Sequence, residues 1–318
     1  MNTVLVTGCA GFIGSRLCEK LLMQRCNVIG VDNFCCSYDP GLKRENVCFA
    51  IRCSNYILLK GDILDSEFME QIFKENDIDT VIHLAALAGV RKSIEHPLDY
   101  VDVDIKGTVG LLELCRRYKV SKFIFASSSS VYGSCSPPFS EDMPLGTQLS
   151  PYAASKLSGE LFCRTYHSIY GLPVVCLRFF TVYGPRQRPD MAIRIFTQAA
   201  AEGRSIGVFG DGTSARDYTY IDDIVDGIMA AAELDCGFEI INLGNSKPVG
   251  ILDVIRLIEK YSGKTAGIEY LPLQTGDADI TCADISKAAR LLGYSPKVDI
   301  EAGIERFVKW YEDCVKKQ

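Results

Sequence analysis

The sequence predicts an α/β fold, a Rossmann-type doubly wound parallel sheet with a smaller, discontinuous C-terminal substrate domain. Three observations carry this. The run Thr3–Thr7 (TVLVT) passes directly into Gly8-Cys-Ala-Gly11-Phe-Ile-Gly14 and then into a helical pattern through Arg25. Short apolar runs then alternate with helical periods as far as Arg178, which indicates a parallel sheet covered on both faces. Beyond Arg178 the texture turns to loop-rich segments, YGPRQRPD, GDGTSARD and LGNSKP.

Taken in order, strand, glycine turn and helix let backbone N–H groups and a helix N-terminus receive a pyrophosphate, so Gly8, Gly11, Phe12, Ile13 and Gly14 are expected at a dinucleotide. The next strand ends at Asp32, placed to accept hydrogen bonds from the adenosine ribose hydroxyls. Residues 33–37, Asn-Phe-Cys-Cys-Ser, hold no Arg or Lys to meet a 2′-phosphate, so NAD is expected rather than NADP. Strands follow near 56–60, 79–84, 122–126 and 173–178, separated by helices at 66–76, 97–118 and 152–170. Later helices fall at about 191–202, 222–234 and 250–261. The helix from Asp222 and a strand at 239–242 are expected to return to the first domain. The division is therefore 1–180 with about 220–244 for the cofactor, and 181–219 with 245–318 for the substrate.

Composition excludes other classes. With 318 residues, 47% apolar and 23% charged, the chain is an ordinary globular one. A net charge of −6 argues against nucleic acid as the main partner, since phosphate backbones want a basic face. No secretory or membrane-spanning run is present; the longest apolar stretch, 81–90, is interrupted by His83 and lies far below the ~18 residues of a span. A cytoplasmic protein is expected. Fourteen cysteines without a CxxC pair, and histidines only at 83, 96 and 167, offer little for a metal site, and none is expected. Cys115, Cys163 and Cys176 fall at apolar-periodic positions, where a thiol packs as a small hydrophobe.

The chemistry is concentrated in SPYAASKLSGEL. Tyr152 and Lys156 are i and i+4 on one helix face, so the ammonium can favour the phenolate of a side chain that ordinarily titrates near pH ~10. That pairing provides a general base for a hydroxyl proton. Taken alone, the spacing more often marks a half-buried tyrosine beside a solvated lysine. The dinucleotide turn upstream and the serine run 127–130 favour the catalytic reading.

Together TGCAGFIG, GDILD, HLAA, SSSSVYG, SPYAASK, RFFTVYGPRQRPDM and GDGTSARDYTYIDDI resemble the extended short-chain dehydrogenase/reductases of the sugar-nucleotide epimerase and dehydratase group, over essentially the whole length. The resemblance implies NAD contacts from Gly8, Gly11, Gly14, Asp32, Asn33, Asp62, Ile63, Ala85, Tyr152 and Lys156. It implies Tyr152 as base, Lys156 also on the nicotinamide ribose, and Ser128 bonded to the reacting oxygen. It further implies Arg216 on the diphosphate, Phe209 near uracil and Asp277 on the uridine ribose. Arg91 is open between a site role and a structural one. A two-fold homodimer is implied through helices 97–118 and 152–170, with Val109, Leu112, Phe162 and Tyr166 at the seam.

Within the group, relatives that eliminate water carry an Asp-Glu pair after the Ser128 position, and decarboxylases carry a glutamate at that of Ser130. This chain has Ser129 and Ser130, which leaves 4-epimerisation. RFFTVYGPRQRPDM is similar to the segment of UDP-glucuronate 4-epimerases. The expected substrate is thus a UDP-hexuronic acid. Arg188, or second to it Arg186, would clamp the C6 carboxylate with Thr181 and Ser129, because a guanidinium fork matches a carboxylate. A surface loop of solvated arginines is the bland alternative. A UDP-glucose/UDP-galactose-type epimerase and a UDP-glucuronate decarboxylase are the alternatives on the same scaffold.

Overall fold

The computed structural model describes residues 1–273 and 279–315. The first half runs β1 (Thr3–Thr7), α1 (Phe12–Met23), β2 (Asn27–Asp32), α2 (Pro40–Val47), β3 (Tyr56–Lys60), α3 (Ser66–Glu75), β4 (Thr80–His83) and α4 (Val90–Glu95). It continues with α5 (Pro97–Tyr100), a π-helical turn (Val101–Lys106), α6 (Gly107–Arg117), β5 (Lys122–Ser128), α7 (Pro151–Tyr170) and β6 (Val174–Phe179). Then come β7 (Thr181–Tyr183), α8 (Ala192–Glu202), β8 (Ile206–Phe209), β9 (Ala215–Tyr220), α9 (Ile221–Glu233) and β10 (Phe238–Leu243). The last elements are β11 (Pro248–Gly250), α10 (Ile251–Ser262), β12 (Ile268–Leu271), α11 (Ser286–Leu292) and α12 (Ile300–Trp310).

Seven parallel strands in the order β10-β6-β5-β4-β1-β2-β3 form the main sheet, with β10 returning to pair β6. Alternation along β1 explains how both faces are covered. Val4 and Val6 pack with Leu17 and Leu21 of α1 and Ile224 and Ile228 of α9, whereas Leu5 packs with Met69 and Phe73 of α3, Leu111 of α6 and Cys163 of α7. Cys115, Cys163 and Cys176 are buried, as their periodicity requires. The strand order reverses between β1 and β4, so the crevice beyond their carboxyl ends is where an open sheet of this kind takes a ligand. A three-stranded sheet, β11-β9-β7, and the pair β12-β8 lie beyond that edge. Asp217 of β9 knits this region: it is fully buried and accepts from the backbone N–H groups of Asn245, Ser246 and Ala283.

Local chemistry sets α7, the helix that bears Tyr152 and Lys156. Ser150 caps α7 by accepting from Ala153 N–H at 3.1 Å, Pro151 occupies the first turn, and Gly171 ends the helix in the left-handed region. The single helix expected over 97–118 is instead α5, the π-helical turn and α6, a wider coil that begins behind Pro97. Leu112, expected at a dimer seam, is fully buried against the sheet. Val109 and Tyr166 are half-buried, and Phe162 is exposed with Leu98, Leu161 and Ile169. No described helix is long and apolar enough to cross a membrane. Among the described residues no cluster of His, Cys, Asp and Glu is arranged to hold a metal ion.

Candidate active site

A cavity of about 670 Å³ opens along the carboxyl edge of the main sheet. Its floor begins at the glycine turn. Gly8 has φ of 70°, and a Cβ on it would come within 2.8 Å of the Ala85 backbone nitrogen. A Cβ on Gly14 would lie 2.1 Å from the Gly8 carbonyl oxygen, so only glycine lets the turn fold back on α1. No side chain caps α1 at Gly11, and its first turn has no acid, which leaves that N-terminus open to an anion.

Asp32 stands at the end of β2, at the cavity. Its carboxylate accepts from Ala10 N–H (3.1 Å), Phe34 N–H (2.8 Å) and the ammonium of Lys43 (3.2 Å), while Asn33 donates to Asp62 at 2.8 Å. Lys43 comes from α2, eleven residues after Asp32 and outside residues 33–37, so the sequence next to Asp32 does not announce it. The residues present fit a dinucleotide. Gly8, Gly11, Phe12, Ile13, Gly14, Asp32, Asn33, Asp62, Ile63 and Ala85 all line this cavity, as do Tyr152 and Lys156.

Tyr152 and Lys156 follow one another along the inner face of α7, with the Lys156 ammonium 5.9 Å from the centre of the Tyr152 ring and 5.4 Å from that of Phe125. Lys156 is buried, and its counter-charge is Asp104 of the π-helical turn, whose Oδ2 lies 3.7 Å away. Asp104 also accepts from Leu87 N–H (2.8 Å) and Ser155 Oγ (3.2 Å). Burial pushes its carboxyl above the ordinary range, and the Lys156 charge and these donors oppose that shift. Tyr100 meets the Tyr152 ring edge-on at 6.2 Å and is itself tied to the Gly89 carbonyl.

Beneath this lies His83. Thr108 Oγ1 donates to the Asp104 carbonyl (2.6 Å), so it can only accept from His83 Nε2 at 3.1 Å. That leaves Nδ1 to accept from Thr7 Oγ1 at 2.7 Å. Desolvation, aided by the Lys156 charge, lowers the imidazole to about 3, and it stays neutral.

Ser128, at the end of β5, accepts from both the backbone N–H (3.2 Å) and the hydroxyl (3.0 Å) of Ser130. With both lone pairs engaged, its own O–H is the group left to donate. Ser127 donates to Glu160 of α7 at 2.5 Å, and Glu160 holds Arg178 of β6 bidentately at 2.9 and 2.8 Å. The Ser127–Glu160 bond ties the strand bearing Ser128 to the helix bearing Tyr152, and the buried Glu160–Arg178 pair ties that helix to β6 as well. Asp104, Lys43 and Glu160 carry no signal in the sequence beyond membership of an expected helix or loop, and nothing in it shows Ser130 donating to Ser128.

Ser128, Ser129, Thr181 and Arg188 line the same cavity as Tyr152. Arg186 does not: it has φ of 70° and donates to Glu19 of α1 at 2.7 Å. Between them Gln187 is buried, donating to the Val182 carbonyl and accepting from Arg194. Phe209 and Arg216 also stand outside the cavity lining. The Arg91 guanidinium covers the Phe209 ring at 4.6 Å, and Arg216 donates to the Ala215 and Asp279 carbonyls. Asp277 lies outside the described residues.

The profile of the NAD dependent epimerase/dehydratase family matches residues 4–244. The UDP-glucuronate 4-epimerase of Thermodesulfobacterium geofontis is 46% identical over 317 residues, covering 99% of this chain and 98% of that protein. UDP-glucuronate 4-epimerase 4 of Arabidopsis thaliana is 44% identical over 97% of this chain and 75% of its own. The crystal structure of UDP-glucuronic acid 4-epimerase from Bacillus cereus with UDP-glucuronic acid and NAD superposes with a TM-score of 0.93 at 43% identity, covering 98% of this chain and 99% of that one. The glycine turn, Asp32, Ser128 and the Tyr152–Lys156 pair line one cavity, and the match over residues 4–244 with these relatives at 43–46% identity shows that the chain belongs to the NAD dependent epimerase/dehydratase family.

Proposed function

We propose that this chain interconverts UDP-glucuronate and UDP-galacturonate by epimerisation at C4. The observation that carries the reading is the common cavity of Tyr152, Lys156, Ser128, Thr181 and Arg188. NAD bound there supplies the acceptor for the C4 hydride and its donor on return. Tyr152, with the buried ammonium of Lys156 one helical turn away, takes the O4 proton while the free O–H of Ser128 bonds the oxygen as it becomes a carbonyl. The 4-keto sugar turns within the site, and Tyr152 gives the proton back once the other face has been reduced.

A 4-keto uronate is a β-keto acid. If its C5–C6 bond aligns with the carbonyl, that bond breaks, its electron pair moves into the C4 carbonyl as an enolate, and carbon dioxide leaves while C5 takes a proton. A carboxylate gripped by Arg188 with Thr181 is kept out of that alignment, so the same contact serves recognition and fidelity. Ser129 and Ser130 supply no carboxylic acid for an elimination, and the names of the relatives above speak for a uronate. Residues 1–180 with 220–244 would then form the cofactor domain, and 181–219 with 245–318 the substrate domain. Arg216 and Phe209 belong to the substrate domain and would take the nucleotide end. Two copies would pair through the exposed apolar face of Leu98, Leu161, Phe162 and Ile169. The free thiols suit the reducing cytoplasm.

The test is product analysis by NMR after mixing purified protein with UDP-glucuronate. UDP-galacturonate is the expected product. UDP-pentose alone, or no reaction with uronate but turnover of UDP-glucose, overturns the reading.

A further inference from the structure

The segment that carries Arg188 holds a carboxylate to which no role has been given. Residues 188–191 form a turn closed by Met191 N–H on the Arg188 carbonyl at 3.2 Å, with Pro189 at its second position, where a fixed φ is favoured. The proline also restricts Arg188 before it, so the turn is stiff. At the third position Asp190 reaches back to the guanidinium, accepting from Nε at 2.9 Å and from Nη2 at 3.1 Å. A guanidinium has two edges that can each take a carboxylate. Asp190 takes the Nε edge, and Arg188 Nη1 meets no acceptor among the described residues. Both side chains line the cavity with Tyr152 and Thr181.

We propose that Asp190 is a positioning residue for sugar recognition: it locks Arg188 by one edge and so presents the other, Nη1 with the second hydrogen of Nη2, to the C6 carboxylate of a uronate. This rests on the uronate reading above. Asp190 itself remains ionised. Burial works against its charge, but the bond from Arg188 and the nearby charges of Arg188 and Lys92 hold its carboxyl below the ordinary range. Because the turn fixes Asp190 two residues from its partner, the pair is formed before any sugar arrives. The guanidinium then loses little freedom on binding, and the carboxylate it grips is held at a set angle.

Asp190→Asn and Asp190→Ala test this. In both, KM for UDP-glucuronate should rise about 10-fold and the share of UDP-pentose among the products should increase, the Ala variant more than the Asn. The dissociation constant of UDP and the thermal midpoint should stay as in the wild type. Unchanged KM and product ratio in both variants overturn the proposal, and so does tighter uronate binding, which would make Asp190 a competitor for the fork. Wild-type protein that fails to epimerise UDP-glucuronate would instead remove the reading beneath it, a result distinct from variants that behave as an active wild type.

Discussion

Asp104 Oδ2 stands 3.7 Å from Lys156 Nζ with both side chains buried, so the cation next to the proposed base is compensated from a π-helical turn on a different element. Replacing Asp104 with Asn leaves that ammonium without its counter-charge. Removing one partner of a buried pair costs about 3 kcal/mol or more, so D104N should unfold at lower urea and lose activity together. Urea titration and initial rates on one preparation would check this; an Asn variant of native stability contradicts it.

Tyr152→Phe removes the proton acceptor while keeping the ring that packs against Tyr100. A drop in kcat of about 10³-fold is expected. Nicotinamide content, released by denaturation and measured by absorbance, should match the wild type.

Arg188→Ala should raise KM for UDP-glucuronate and divert product toward pentose, whereas affinity for UDP alone should hold. A charged-group hydrogen bond of this kind contributes about 1.5–3 kcal/mol, or roughly 10- to 150-fold in KM. Chromatographic separation of the products reads both effects.

His83 makes stability depend on pH. Its folded pKa is about 3 against an ordinary 6.5, so between those values the unfolded chain takes up a proton that the folded chain refuses. Stability from this group is present above pH 6.5 and is lost as pH falls toward 3. Between pH 6.5 and 5 the loss should be about 2 kcal/mol. Denaturant midpoints for the wild type and His83→Gln at both pH values would reveal it, as the Gln variant lacks this component.

Gly14→Ala should weaken NAD binding at least about 10-fold or prevent folding, since its Cβ would meet the Gly8 carbonyl at 2.1 Å and backbone cannot swing aside as a side chain can. Fluorescence titration with NADH separates the two outcomes.

Local patterns made much of this architecture legible. The glycine turn, the strand ending at Asp32 and the Tyr–Lys spacing each lie within a few residues of one another, and period and punctuation report such features directly. Other features come from distant segments. Lys43 reaches Asp32 only because α2 folds back over the β2 end, and Asp104 faces Lys156 only because the helix widens after Tyr100. No period in the sequence announces either. Leu112 shows the reverse error: an apolar residue on an expected interface helix is equally suited to the core, and only the packing of α6 on the sheet decides between them. Arg186 and Arg188 read alike in a loop, and the left-handed backbone at Arg186 is what sends the first to Glu19 and leaves the second at the cavity.

That divergence has an evolutionary consequence. Arg186 is moored to α1 and Gln187 is sealed inside, so the course of the loop is dictated from behind. Among the described residues Arg188, two places on from Arg186, is held only within its own turn, by Asp190. Descendants could therefore trade one sugar for another by changing this half-buried fork and the aspartate that holds it, without disturbing the mooring at α1.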